Sequence, residues 1–179
     1  WVDNTTIEGK EHGFITPTKV SSATDTTTTS TTYTAMDSMS TTPGAGNYLV
    51  SFSTSIMKST GLSDQYVSLY VAGSQVAHTE RYIEQESSYD GGNFLVIPVT
   101  IQAYVSNLGA SDTIEIRWRT TAGTATAKER SMIVQEVSSS DMSQATATAD
   151  DTTTSATDTQ INSMTLTPGA GDYIVYFNG

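Results

Sequence analysis

The chain has no cysteine among its 179 residues, so neither disulfides nor cysteine-ligated metals can hold it together. Basic residues are also few. Lysine and arginine number 8 against 19 aspartates and glutamates, and the formal net charge is −11. That balance argues against nucleic acid and anionic membrane surfaces as partners. No apolar run approaches the roughly 18 residues that a transmembrane helix needs, so we expect no membrane insertion.

Helical periodicity is missing as well. No stretch of apolar residues keeps helical spacing for longer than about one turn. Threonine and serine are abundant instead, and they are interspersed with valine, isoleucine and tyrosine. Threonine, valine, isoleucine and tyrosine favour a pleated surface, so the composition predicts an all-β fold.

One stretch of the sequence occurs twice. Residues 42–52 open with Thr-Pro-Gly-Ala-Gly, and residues 167–177 repeat the pattern at an offset of 167 − 42 = 125 positions. The match has no gap and indicates a tandem array of one domain type. We therefore expect an N-terminal docking segment or tail (1–13), a complete domain (14–138), and a linker with an incomplete second copy (139–179).

Alternating apolar residues predict the strands of the complete domain. We expect strands over residues 14–20, 47–56, 65–72, 75–82, 94–105, 113–120 and 125–137. Ile114, Ile116 and Trp118 should face the core, and Met36 and Met39 should be buried. Short strands separated by glycine-containing turns are typical of a β-sandwich, and a jelly roll fits best.

The glycine turn before the strand at 47–56 should set the register of that strand. Gly44 and Gly46 are expected in backbone conformations that a side chain would not tolerate. A slip by one residue would exchange the buried and exposed faces of the strand.

The order of these motifs resembles the tumour-necrosis-factor-like jelly roll, which includes the complement-type globular heads. The similarity rests on residues 48–53, 66–77 and 110–118, covers about 21–137 and begins again near 150. It is closest to the cysteine-free versions in phage virion structural proteins. The resemblance implies a homotrimer, which we expect to form through sheet edges and a face rich in tyrosine and methionine. The closing strand, 130–137, lacks the Phe-Gly-Phe-like end of animal members, so receptor or complement binding is not carried over.

Motifs of catalysis are absent from the sequence. It contains no Gly-x-Ser-x-Gly elbow, no His-Glu-x-x-His and no cysteine nucleophile, and His12 and His78 stand alone. We expect His78 to be a strand surface residue, and we expect neither enzymatic activity nor a cofactor.

An acidic loop allows two interpretations. It contains Glu80, Glu84, Glu86 and Asp90. A solvated surface loop is favoured, because no Asp-x-Asp-x-Asp spacing supports a metal. The alternative is a Ca²⁺ site built from carboxylate oxygens.

Two arginines form a basic cluster on a predicted strand. Arg117 and Arg119 share a face with Glu115, which favours cross-strand ion pairing or an intersubunit contact. The alternative is a glycan site, where the arginines bond hydroxyl groups and Tyr66 or Tyr70 stacks on a sugar.

The N-terminal segment carries isolated apolar residues, Trp1, Val2 and Ile7, among polar ones. A frayed tail is the favoured interpretation. The alternative is a docking segment that anchors the chain in a pocket of a larger virion protein.

The sequence favours a non-enzymatic structural protein of a phage virion, namely a capsid decoration, a head fibre or a tail or neck appendage. Such a protein would be displayed on the virion surface as a trimer, with host surface glycans as a further contact. The alternative is a bacterial secreted or cell-surface adhesin with a glycan-binding module.

Overall fold

Ten strands form two antiparallel sheets in the computed structural model, which describes residues 16–58, 63–84, 95–138 and 142–177. The strands are β1 (Thr18–Ser22), β2 (Thr26–Thr28), β3 (Thr34–Thr41), β4 (Gly46–Lys58), β5 (Gln65–Val71), β6 (Ser74–Gln75), β7 (Arg81–Ile83), β8 (Ile97–Leu108), β9 (Ile114–Thr120) and β10 (Ala125–Glu136). The described part of the chain contains no α-helix. The prediction of an all-β jelly-roll sandwich is therefore confirmed.

The two sheets have different strand orders. The first sheet runs β1-β10-β4-β8, and β2 also pairs with β10. The second runs β3-β9-β5-β6, and β7 also pairs with β5. Strands distant in sequence are thus neighbours, since the last strand, β10, lies between β1 and β4.

The core lies between the sheets and is built from alternate side chains of each strand. Ile114, Ile116 and Trp118 of β9 are buried, as their spacing predicts. Met36 and Met39 of β3 are also buried. The pairing of β3 with β9 is irregular between Ala35 and Ser40, the stretch that contains both methionines. Met36 and Met39 therefore fill the core and are not available to the tyrosine- and methionine-rich trimer face that the sequence suggested.

The predicted strand at 75–82 is wrong in its centre. A 3₁₀ turn, Ala77–Thr79, separates β6 from β7. The Thr79 hydroxyl donates to the carbonyl of Val76 at 2.7 Å and accepts from the amide of Leu69 at 3.0 Å. The Thr79 side chain thus bonds backbone groups that a continuous strand would have paired with its neighbour. Residues 77–79 therefore form a turn despite their alternating sequence pattern.

A buried arginine joins the two sheets. Arg130 follows a register shift in β10, and it is only 3% exposed. Its guanidinium donates to the carbonyls of Thr24 at 2.6 Å and Asp37 at 2.8 Å, and to the Asp37 carboxylate at 3.0 Å. Because Asp37 belongs to β3, this side chain links the first sheet to the second.

The glycine turn before β4 is built differently from expectation at one of its two glycines. Gly44 has a φ of 105°, as predicted, but Gly46 does not have a positive φ. Instead the Tyr48 ring lies over Gly46, and a Cβ there would be 3.1 Å from the Tyr48 hydroxyl oxygen. That hydroxyl donates to the carbonyl of Gly44 at 3.3 Å, so close ring packing explains the need for glycine at 46.

Residues 142–177 form no strand, yet they repeat local conformations of the first copy. Ser38 and Ser163 both have a φ of 62°, at the 125-residue offset. Tyr173 donates to the carbonyl of Gly169 at 2.9 Å, as Tyr48 does within the first copy. Tyr173 is nevertheless 55% exposed, whereas Tyr48 is 4% exposed.

Candidate ligand-contact faces

A row of aromatic and cationic side chains crosses the outer face of the second sheet. It consists of Tyr33, Arg119, Tyr66 and Tyr82, and we call it the tyrosine–arginine row. The Arg119 Cζ lies 3.6 Å from the centroid of the Tyr66 ring and 5.3 Å from that of Tyr33. The Tyr66 and Tyr82 rings are 5.1 Å apart at 42°. These are stacking and cation–π distances, so the members hold one another in place.

Strand register brings the row together. Tyr66 of β5 pairs with Arg119 of β9 on one side and with Tyr82 of β7 on the other. All three residues point away from the core, because Val67 and Trp118 beside them point inward. Tyr33 directly precedes β3 and completes the row at its far end.

Tyr70 lies beside the row but is only 8% exposed. Its ring is 4.5 Å from the Arg117 Cζ and 5.4 Å from the Tyr33 centroid. Burial raises the pKa of its hydroxyl. Since neighbouring side chains cover Tyr70, it offers no open ring to a sugar, and only Tyr66 of the two suggested tyrosines remains a candidate for stacking.

The two arginines of the cluster have different partners. Arg117 donates to Glu115 at 2.8 Å and forms an ion pair with it, within β9 and not across strands as the pairing interpretation predicted. Arg119 forms no ion pair with any residue that the structure describes. Arg119 is therefore a half-buried cation held by aromatic rings, with hydrogen-bonding capacity to spare.

Glu80 anchors the Tyr33 end of the row. Its carboxylate accepts from the Tyr33 hydroxyl at 2.5 Å and from Gln75 at 2.9 Å. Burial, followed by the bond to Glu80, raises the pKa of Tyr33 well above its usual value. This carboxylate is thus committed to the protein, which weakens the proposed Ca²⁺ loop.

The remaining members of the acidic loop give no support for a metal. Glu86 and Asp90 lie outside the described residues, and Glu84 is exposed. Within the part of the chain that the structure describes, no three potential ligands come together.

The exposed end of the row carries carboxylates. Tyr82 is 51% exposed, and Asp64 directly precedes β5, the strand that pairs with β7. Partial desolvation, followed by the Asp64 and Glu84 carboxylates, raises the pKa of Tyr82. Thr121 holds the backbone of Asp64, with one bond of 2.8 Å and another of 2.9 Å. An aromatic surface, a guanidinium and an aspartate with a fixed backbone therefore lie on neighbouring strands.

Other predicted site residues have simpler outcomes. Trp1, Val2 and Ile7 lie outside the described residues, so docking stays a prediction. His78 lies in the 3₁₀ turn and not on a strand, and its Nε2 is 2.9 Å from the side-chain nitrogen of Gln144. Burial, followed by the charge of Arg81, lowers the pKa of His78.

The sequence reasoning missed three members of this face, Tyr33, Tyr82 and Asp64. Tyr82 is the last residue of the strand predicted at 75–82. Tyr33 and Asp64 lie just outside strands, and no periodic signal marks such positions.

The outer face of the first sheet has a different chemistry. Three rows of outward side chains cross β10, β4 and β8, and we call this surface the serine-rich face. The rows are Gln135-Leu49-Tyr104, Ile133-Ser51-Gln102 and Ser131-Ser53-Thr100. None of these side chains is acidic, although the chain has 19 acidic residues. In the last of these rows the Ser53 and Ser131 hydroxyls lie 3.3 Å apart.

No helix among the described residues has the length and apolar character that crossing a bilayer requires.

One open depression, lined by Ser21, Ser53 and Arg130 among others, borders the serine-rich face. Its polar lining and open shape do not form an enclosed active-site cleft.

No family model and no curated protein matches the chain. Solved structures that are similar include the Eiger TNF of S. frugiperda, at 13% identity and a TM-score of 0.41, over 72% of this chain and 98% of the other. Infectious bursal disease virus VP2 is similar at 10% identity and a TM-score of 0.45, over 68% of this chain and 32% of the other. The sugar-binding C-terminal domain of EclA follows at 14% identity and a TM-score of 0.39, over 62% of this chain and 78% of the other. The likeness is one of fold, and roles do not follow from it.

Proposed function

We propose that this protein is a non-enzymatic structural protein on the surface of a phage particle, such as a capsid decoration, a head fibre or a tail or neck appendage. The observation that supports this best is the contrast between the two outer faces of the sandwich. The nine residues of the serine-rich face include no acidic side chain, with Glu129 at the edge beside Ser53 and Ser131, and the opposite face carries the tyrosine–arginine row. One face suits assembly, and the other suits contact with a host surface.

Charge explains why the serine-rich face suits self-assembly. Copies with a net charge of −11 repel one another, and acidic groups placed opposite each other in an interface would cost several kcal/mol. A flat face of serine, threonine and glutamine around Leu49 and Ile133 avoids that repulsion. The trimeric state itself comes from the resemblance to tumour-necrosis-factor-like domains.

Tandem organisation fits a protein that extends from a particle. The shared local geometry of Ser38 and Ser163, and of Tyr48 and Tyr173, supports the division into domains at 14–138 and 139–179. The segment at 1–13, with Trp1, Val2 and Ile7, would attach the array to a larger virion protein.

Sedimentation tests the assembly. We expect a trimer at micromolar concentration, and we expect Ser53→Glu to convert it into monomers, because a charge would enter the face beside Ser131. Ser111→Glu, on an exposed turn, is the matched control and should leave the trimer intact. A monomeric wild-type protein, or a trimer unaffected by Ser53→Glu, would contradict the proposed interface.

Imaging of native particles tests the location. Antibodies against the domain at 14–138 should label a virion surface, and removal of residues 1–10 should abolish attachment without unfolding the domain. Labelling of a bacterial envelope in its place would favour the alternative, a cell-surface adhesin.

A further inference from the structure

We infer that Tyr82, Tyr66, Arg119 and Asp64 form a subsite for a neutral hexopyranose of a polysaccharide. This deepens the proposed function, since it rests on the tyrosine–arginine row as the face presented to a host surface. It specifies the sugar class by the chemistry of the groups that would recognise it.

A stacking platform is already in place. Tyr82 is half-exposed, and Tyr66 beneath it supports the ring at 5.1 Å. The C–H face of a pyranose is apolar and packs on an aromatic ring, while its hydroxyl groups stay at the rim. Pairing of β5 with β7 positions both rings, so little side-chain freedom would be lost on binding.

The Arg119 guanidinium supplies hydrogen-bond donors next to the Tyr66 ring. Arg119 stacks at 3.6 Å over Tyr66, and no carboxylate among the described residues pairs with it. Its neighbour Arg117 differs, because Glu115 occupies that guanidinium. Arg119 therefore keeps N–H groups for a pair of sugar hydroxyls.

Asp64 supplies the acceptors. It directly precedes β5, next to the Gln65–Ile83 pair, and Thr121 fixes both of its backbone groups. A carboxylate accepts several hydrogen bonds at once, so it can accept from a sugar hydroxyl. Donors and acceptors flanking an aromatic ring match the alternating donor and acceptor character of vicinal hydroxyls.

The charges select against acidic sugars. Asp64 precedes β5 and Glu84 follows β7, next to the Gln65–Ile83 pair, and Glu80 lies at the other end of the row. One unpaired guanidinium does not outweigh these carboxylates and a net charge of −11. A uronate or sulfate would be repelled, whereas an uncharged sugar would not.

Binding to immobilised polysaccharides tests the inference. The probes are mannan, dextran and a galactan as neutral polymers, with polygalacturonate and heparin as acidic ones. We expect the full chain to bind at least one neutral polymer and neither acidic one. Tyr82→Ala should weaken that binding at least about tenfold, as expected for loss of a stacking ring. Arg119→Lys should weaken it as well, because a lysine cannot present two parallel donors.

Two controls keep the test decisive. Tyr176→Ala removes another exposed tyrosine, 59% exposed and outside the row, and should leave binding unchanged. Thermal melting of each variant shows whether the fold is retained, and Tyr82→Phe should preserve binding if Tyr82→Ala fails to fold. Binding to no neutral polymer, binding only to an acidic one, or binding that survives Tyr82→Ala would each overturn the inference.

The same measurements separate this inference from the assembly proposal. A trimer that binds no neutral polysaccharide overturns the sugar site alone. A monomer that binds one through Tyr82 overturns the proposed assembly and leaves the sugar site standing.

Discussion

Replacing Arg130 by methionine tests the link between the two sheets. The side chain is fully buried, and it donates to the carbonyls of Thr24 and Asp37 and to the Asp37 carboxylate. Methionine has a similar length and no donor, so Arg130→Met removes all three bonds while it keeps most of the packing. Asp37→Asn is the matched control, because it removes only the charge of the partner.

The two substitutions should differ in size because the two partners differ in burial. The Asp37 side chain is 70% exposed, so water solvates it when the arginine is absent. The guanidinium also bonds two backbone carbonyls, and hydrogen bonds to charged groups contribute about 1.5–3 kcal/mol each. We expect Arg130→Met to cost about 2–4 kcal/mol after the gain from burying methionine, and Asp37→Asn to cost less than about 1 kcal/mol. The position that corresponds to Asp37 in the second copy is Asn162, which agrees with a dispensable charge.

Thermal unfolding of the full chain measures both costs. A loss of about 2–4 kcal/mol corresponds to a fall in Tm of roughly 5–15 °C for a chain of this size. Asp37→Asn should lower the Tm by no more than about 3 °C. Equal effects of the two substitutions would refute the reasoning, since the exposed carboxylate would then matter as much as the buried guanidinium.

Two further substitutions test other parts of the fold. Gly46→Val should lower the Tm by many degrees, because a side chain there meets the Tyr48 ring. Ser55→Val, on the outer face of β4, is the control and should change the Tm little. Equal small effects of the two substitutions would show that the turn is only a linker. The raised pKa of Tyr33 favours its neutral form in the folded state, so this stabilisation is present below pH ~10 and is lost as the pH rises above it. Tyr33→Phe should therefore flatten the alkaline decline of the Tm, and an unchanged decline would contradict the assignment.

The sequence predicted which strand residues are buried better than it predicted the turns between strands. Alternation placed Ile116 and Trp118 in the core correctly, because burial of one strand face is encoded residue by residue. The 3₁₀ turn at Ala77–Thr79 escaped prediction, since the hydroxyl of Thr79 reaches backbone groups on another strand. A threonine that fits a strand by propensity gives no local sign of such a bond.

The candidate site was predicted in part. Tyr66, Tyr70, Arg117 and Arg119 do lie on one face, because alternation on two strands determines which side chains share a side. Which of these side chains remain accessible to a ligand depends on the neighbouring segment that packs against the face. Tyr33 covers Tyr70 from a segment far away in sequence, and only the three-dimensional structure shows it.

The position of β10 between β1 and β4 has a consequence for synthesis on the ribosome. The first sheet cannot reach its final order until residues 125–136 have emerged, although β4 is complete much earlier. In the meantime Val50 and Phe52 have no partner strand on that side, just as Val175 and Phe177 are exposed in the second copy. We expect nascent chains that end before residue 125 to be digested readily by protease and chains that include β10 to resist it. Until β10 is synthesised, the unpaired edge of β4 is free to pair with a neighbouring copy.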